Sequence, residues 1–252
     1  MLALLGSVSG CGGGAGTATP MAGSTQTRGL TAGSNGTAYP LYIYLPPGSE
    51  ASRATMPVVY LLDGESRFQA LVDIVEAAKM RVAIVGIGNE AQRSRDYVPP
   101  NACTTGGGGQ VAFLDFICLQ LIPFIETTFG ADPLRRILLG HSHGGSFVLY
   151  ALFNEVAADR HFSAYLASDA SIGCMNDTVY GWESAYAAAN TALAVRLHVA
   201  YAYAGNVANG PFAAQVQARQ YTGLVLAAPA YGGSHVGMIP QAFADAMVFA
   251  LA

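Results

Sequence analysis

Short runs of apolar, β-branched residues alternate with longer segments of helical spacing along most of the chain. That alternation is the signature of an α/β domain built on a mainly parallel sheet. "PVVYLL" (residues 57–62) is apolar on both faces, as a central parallel strand must be, and it stops at Asp63-Gly64. "PLYIYL" (40–45) predicts an early, outer strand, and "RVAIVGI" (81–87), "RRILLG" (135–140), "FSAYLAS" (162–168), "VRLHVAYAY" (195–203) and "GLVLAA" (223–228) predict further strands. Helical spacing covers 68–79, a long stretch ending near Phe129, "SFVLYALFNEV" after the 135–140 run, and the closing "IPQAFADAMVFALA". A polar, Gly-rich loop is expected from Gly88 to Gly109. No internal repeat and no second linker interrupts the pattern, which predicts one domain over 37–252.

Gly140-His141-Ser142-His143-Gly144 fits G-x-S-x-G, and it lies between a predicted strand and a predicted helix. In that setting the serine sits on a sharp turn that presents its hydroxyl as a nucleophile, and the glycines let strand and helix approach closely. Neighbours of the nucleophile are carried sideways by such a turn, so neither His141 nor His143 is expected to reach the hydroxyl as a base. A fold with this turn runs in the chain order Ser, acid, His, and His235 in "YGGSHVGMIP", between the last strand and the last helix, is the candidate base. His161 and His198 fit a loop and a strand. For a developing oxyanion, the motif offers the backbone N–H of His143, and the turn after "PVVYLL" offers a second at Gly64 or Glu65.

Together "VVYLLDGES", "RSRDYVPP", "FLDFICLQLIPFIETTFGADPLRRILLGHSHGGSFVLYALF", "HFSAYLASDAS" and "SHVGMIP" resemble the bacterial Putative esterase family of the α/β-hydrolase superfamily, in the branch that includes enterobactin- and bacillibactin-type siderophore esterases. The resemblance runs from about Tyr39 to the C-terminus. It implies an α/β-hydrolase fold with helices on both faces of the sheet, and hydrolysis of carboxylic esters through an acyl-enzyme on Ser142, with His235 as base and then acid. Two departures stand out. The family's triad carboxylate usually follows the penultimate strand, yet here 205–210 read "GNVANG", with no acid. After the "FSAYLAS" strand, where the family reads Ser-Pro-Ser followed by bulky aromatics, this chain reads Ser168-Asp169-Ala170-Ser171. Two arrangements stay open: Asp169 as the orienting acid, or a Ser-His dyad in which Asn206 hydrogen-bonds the imidazole. In "NEAQRSRDYVPP", Arg95 either faces the substrate or pairs with Asp96 to hold the loop over the site. The lost aromatics and the small residues of "ASIGCMND" suggest an acyl or alcohol pocket unlike that of the siderophore enzymes.

Of the 252 residues, 52% are hydrophobic and 11% charged, which excludes a disordered polyelectrolyte. A net charge of -4 without a cluster of Lys and Arg argues against a nucleic-acid partner and leaves a small-molecule ester as the expected one. No C-x-x-C or His-rich spacing points to a metal, and the chemistry calls for no cofactor. The first eleven residues, "MLALLGSVSGC", read as a processing segment too short to span a bilayer, and "VSGC" resembles the lipobox of bacterial lipoproteins, with Cys11 lipidated. Residues 12–36, rich in Gly, Ser, Thr and Ala, are expected to form a flexible tether. The expected location is therefore extracytoplasmic, as a lipoprotein or, second, a secreted protein; there Cys103 and Cys174 can form a disulfide, while Cys118 reads as a buried thiol. Two rival functions remain: a non-catalytic ligand-binding lipoprotein on a hydrolase fold, and acyl transfer to an alcohol other than water.

Overall fold

The apolar runs assemble into a nine-stranded sheet in a computed structural model that describes residues 23–252. Its strands are β1 (Ser24–Thr31), β2 (Ala38–Leu45), β3 (Val58–Leu61), β4 (Ala83–Ile87), β5 (Arg136–His141), β6 (Ala164–Ser168), β7 (Arg196–Ala204), β8 (Val225–Ala227) and β9 (Ala230–Ser234). They lie in the order β1-β2-β4-β3-β5-β6-β7-β8, and β9 pairs with β7 beyond β8. From β4 through β9 all neighbours are parallel, while β2 runs antiparallel to both β1 and β4.

Helices cover both faces, as the pattern requires. They are α1 (Gly64–Ala77), α2 (Arg93–Tyr97), α3 (Gln110–Phe116), α4 (Ile122–Phe129), α5 (His143–Asn154), α6 (Thr178–Ala189), α7 (Asn209–Ala218) and α8 (Ile239–Leu251). A π-turn over Ile117–Leu121 joins α3 to α4 just ahead of Pro123, so the long apolar segment is continuous but not a uniform α-helix. Alternating strand residues feed two cores. Val59, Leu61, Ile84, Leu139 and Leu166 pack with Phe68 and Leu71 of α1 and Phe243 and Met247 of α8. Val58, Tyr60, Val85, Leu138 and Tyr165 face the other way, onto the residues of α3 to α7. Strands buried on both faces explain why these runs are apolar throughout.

The expected tether over 12–36 needs correction. Residues 24–31 form β1, in register with β2 from Ser24↔Leu45 to Thr31↔Ala38, so β2 is covered rather than outermost. "STQTRGLT" shows little apolar alternation because it is an edge strand with most residues exposed. The turn between them closes with Gly36 at φ 70 and with hydrogen bonds from Ala32 N to Thr37 O and from Gly36 N to Ala32 O. The processing segment, Cys11 and residues 12–22 lie outside the described residues.

Cys103 and Cys174 are joined by a disulfide that closes a separation of 71 residues and ties the 98–109 loop to the turn after β6. Cross-linking a loop of that length restricts the unfolded chain by about 2–4 kcal/mol. The double variant Cys103→Ser/Cys174→Ser should therefore unfold roughly 5–15 °C lower by scanning calorimetry. An unchanged melting temperature would mean the bridge adds nothing to stability.

Candidate active site

Ser142 occupies the turn between β5 and α5 with φ 61 and ψ -123, a conformation that L-residues hold only under constraint from their surroundings. The constraint is visible. Ser142 N donates to Ser168 O at 2.9 Å, while its carbonyl accepts from Ser146 N at 3.1 Å and Ser171 N at 3.2 Å. A side chain at position 140 would come within 2.4 Å of the Gly144 carbonyl oxygen, and one at 145 within 3.0 Å of Ser168 O, which is why glycine stands at both positions. The hydroxyl of Ser142 meets Ser171 Oγ at 3.2 Å.

Asp169 lies just past β6, fully buried, with φ 43. Its Oδ1 accepts the backbone N–H groups of Ala202 (3.1 Å) and Asn206 (3.2 Å), and its Oδ2 accepts from His235 Nδ1 at 2.5 Å. Three donors aimed at one carboxylate fix it against rotation. The position explains the acid-free 205–210 stretch: a Cβ at Gly205 would fall 2.3 Å from Asp169 Oδ2. The carboxylate reaching across from the end of β6 fills the space that a side chain after β7 would need. Asn206 turns its amide mainly to the Asp169 carbonyl (2.8 Å) and lies 3.4 Å from His235 Nδ1, so it braces the acid rather than replacing it.

His235 follows β9, and its ring lies against that of His141, with centroids 4.4 Å apart. His235 and Ser142 line one cavity of about 400 Å³ together with Asp63, Ser66, Arg67, Glu90, Arg93, His141 and Val236. That volume falls within the range of small-molecule sites. No hydrogen bond joins Ser142 Oγ to His235 here; among the described residues its partner is Ser171.

With this geometry established, likeness to known proteins becomes informative. The family described as "Putative esterase" matches residues 33–202. The chain belongs to this family. Among Putative esterase relatives, it is 35% identical over 142 residues to a siderophore triacetylfusarinine C esterase of Aspergillus fumigatus, covering 49% of this chain and 47% of that one. It is 31% identical over 173 residues to the ferri-bacillibactin esterase BesA of Bacillus subtilis, covering 59% and 58%. The matches thus span about half the length of these curated relatives. A crystal structure of an IroE-like serine hydrolase from Shewanella oneidensis superposes with a TM-score of 0.80 at 27% identity, over 90% of this chain and 80% of the other. The fold is that of the α/β hydrolases.

Around the Putative esterase site, the remaining expectations sort by geometry. The N–H groups of His143, Gly64 and Glu65 have no acceptor among the described residues. This is the condition of first-turn helix donors, and it leaves them open to an anionic oxygen. Asp63 N, by contrast, donates to Tyr97 Oη at 3.2 Å. The Glu65 side chain is turned away, accepting the N–H of Glu90 at 3.3 Å.

Arg95 does not line the cavity, which corrects the substrate-facing reading. Its Nε bonds Asp96 Oδ1 at 2.7 Å, and its terminal nitrogens bond Thr37 Oγ1 and Tyr39 Oη, so it clamps the loop to β2. The cavity cation from this loop is Arg93, two residues earlier, which forks onto both oxygens of Asp63 at 3.1 Å. Sequence reasoning missed Arg93, Arg67 and Ser171, because nothing in the pattern says which charge of a polar loop or which hydroxyl of a turn faces inward.

Neither histidine flanking Ser142 is hydrogen-bonded to its hydroxyl, whose partner is Ser171. His141 is buried and its Nδ1 meets Ser168 Oγ at 3.2 Å. Burial, reinforced by the charge of His235 and those of Arg67 and Arg93, lowers its pKa to about 3. It therefore stays neutral around pH 7. His198, buried on β7 against Phe249, is lowered by burial to about 4. Both take up a proton on unfolding below the ordinary value of 6.5, so the unfolded chain binds more protons and stability falls as pH drops from about 6.5 toward 4. His198→Leu should make the fall of melting temperature across that window shallower than in the parent; parallel curves would contradict the assignment.

Proposed function

We propose that the chain is a serine hydrolase that cleaves carboxylic esters through an acyl-enzyme on Ser142. The observation that carries this reading is the contact between Asp169 Oδ2 and His235 Nδ1 in a cavity that also holds Ser142. With Nδ1–H donated to the carboxylate, the free lone pair of His235 is on Nε2, the tautomer a general base needs. Ser142 turns from Ser171 toward that nitrogen, gives up its proton and attacks the ester carbonyl. The oxyanion is received by His143 N–H and by Gly64 or Glu65 N–H, each such donor contributing about 2.7–4 kcal/mol to the transition state. Imidazolium then protonates the leaving alcohol, and water repeats the sequence on the acyl-enzyme. The contact of Asp169 with His235 supports this reading over a non-catalytic binding protein, which the acid-free 205–210 stretch favours.

Triacetylfusarinine C and ferri-bacillibactin, the compounds in the names of two relatives, are natural first substrates to assay. Action outside the cytoplasm is supported by the Cys103–Cys174 disulfide, which persists in oxidising compartments, and a lipid on Cys11 would tether the enzyme there. The test is direct. The purified chain should hydrolyse para-nitrophenyl butyrate and, on treatment with a fluorophosphonate probe, carry one adduct on the peptide containing Ser142. No adduct and no turnover would overturn the proposal.

A further inference from the structure

Arg67 breaks a local rule without any visible structural return. It sits in the first turn of α1, where the helix dipole disfavours a cation. The residues three and four ahead, Ala70 and Leu71, offer no acid, and Asp63, four behind, is already held by both forks of Arg93. Among the described residues the Arg67 guanidinium makes no ion pair and no hydrogen bond, and its Nε is buried without a partner. Its side chain nevertheless lines the cavity that holds Ser142 and His235.

The other charges of that cavity do not account for it. Arg93 is neutralised by Asp63. His141 is neutral by burial. Glu90 is exposed at the rim and forms no ion pair with Arg67. What remains is one unpaired, half-buried cation beside the nucleophile. A planar guanidinium with free donors matches a carboxylate in two parallel hydrogen bonds. Rule-breaking residues with no compensation in the fold are expected where function needs them.

Resting on the ester-hydrolase reading, we propose that Arg67 is a specificity-determining residue and that the natural substrate is an ester carrying a second, anionic group, a carboxylate or comparable oxyanion, which Arg67 binds while Ser142 attacks the ester carbonyl.

The test compares 4-acetoxybenzoate with its neutral methyl ester, each rate normalised to hydroxide-catalysed hydrolysis. The parent should favour the anion in kcat/KM by about tenfold or more. Arg67→Gln should bring that ratio close to one, Arg67→Lys should keep part of it, and added salt should shrink it in the parent. A parent ratio at or below one, or an unchanged ratio in Arg67→Gln, would overturn the inference. Calorimetric binding of 4-hydroxybenzoate to the parent and to Arg67→Gln reads the anion site without turnover. If neither ester is hydrolysed, turnover of para-nitrophenyl butyrate and the fluorophosphonate adduct decide the hydrolase reading, while binding that weakens in Arg67→Gln still locates the anion at Arg67, and equal binding in both proteins rejects it.

Discussion

Asp169→Asn should lower kcat for para-nitrophenyl butyrate by about 10⁴ while leaving the fold intact, because it reverses the tautomer of His235. Asparagine can still accept the N–H groups of Ala202 and Asn206 through the oxygen that replaces Oδ1. Its amide nitrogen then lands where Oδ2 now accepts from His235 Nδ1 at 2.5 Å. Two donors cannot face each other there, so the ring carries its proton on Nε2 and presents Nδ1 as acceptor. A protonated Nε2 cannot take the proton of Ser142. The measurement is kcat at a pH where the parent rate is level, with circular dichroism to show that the variant is folded. A loss under about threefold would mean that His235 works as a dyad with Ser142 and that Asp169 is a structural acid.

The acid shows where sequence reading stops. Strands β3 to β7 were legible because a parallel strand covered on both faces must be apolar at nearly every position. Ser142 and His235 were legible because a strand-turn-helix context and chain order single them out. Asp169 could only be named beside a dyad, because its role depends on how far a side chain from the end of β6 reaches across β7. The decisive residue is Gly205, whose missing Cβ leaves room for the carboxylate, and no one-dimensional pattern marks a glycine as vacated space. Arg93 and Arg95 make the same point. Two residues apart on α2, they are carried to different surroundings, one onto Asp63 in the cavity and the other onto Asp96 and Tyr39. Edge strand β1 was illegible for the opposite reason: pairing on one side only, with most residues exposed, imposes almost no apolar pattern.

Removing the nucleophile should separate activity from stability in a way that tests the turn itself. Ser142→Ala should reduce kcat by about 10⁶, since the base and oxyanion donors have nothing to activate once the hydroxyl is gone. Alanine inherits the same backbone strain, so its melting temperature should stay close to that of the parent apart from the lost contact with Ser171. Ser142→Gly should be equally inactive but more stable than the alanine variant. At φ 61 and ψ -123 a Cβ is disfavoured, and its removal relieves about 1–3 kcal/mol. Against this stands the extra freedom of glycine in the unfolded chain, about 0.5–1 kcal/mol. The net gain over alanine, of up to about 2 kcal/mol, corresponds to a rise of a few degrees for a chain of this size. If Ser142→Gly melts at or below Ser142→Ala, the turn is not strained in solution. The Ser142 hydroxyl would then have to be presented by the hydrogen bonds that its carbonyl accepts from Ser146 and Ser171 and that its N–H donates to Ser168 alone.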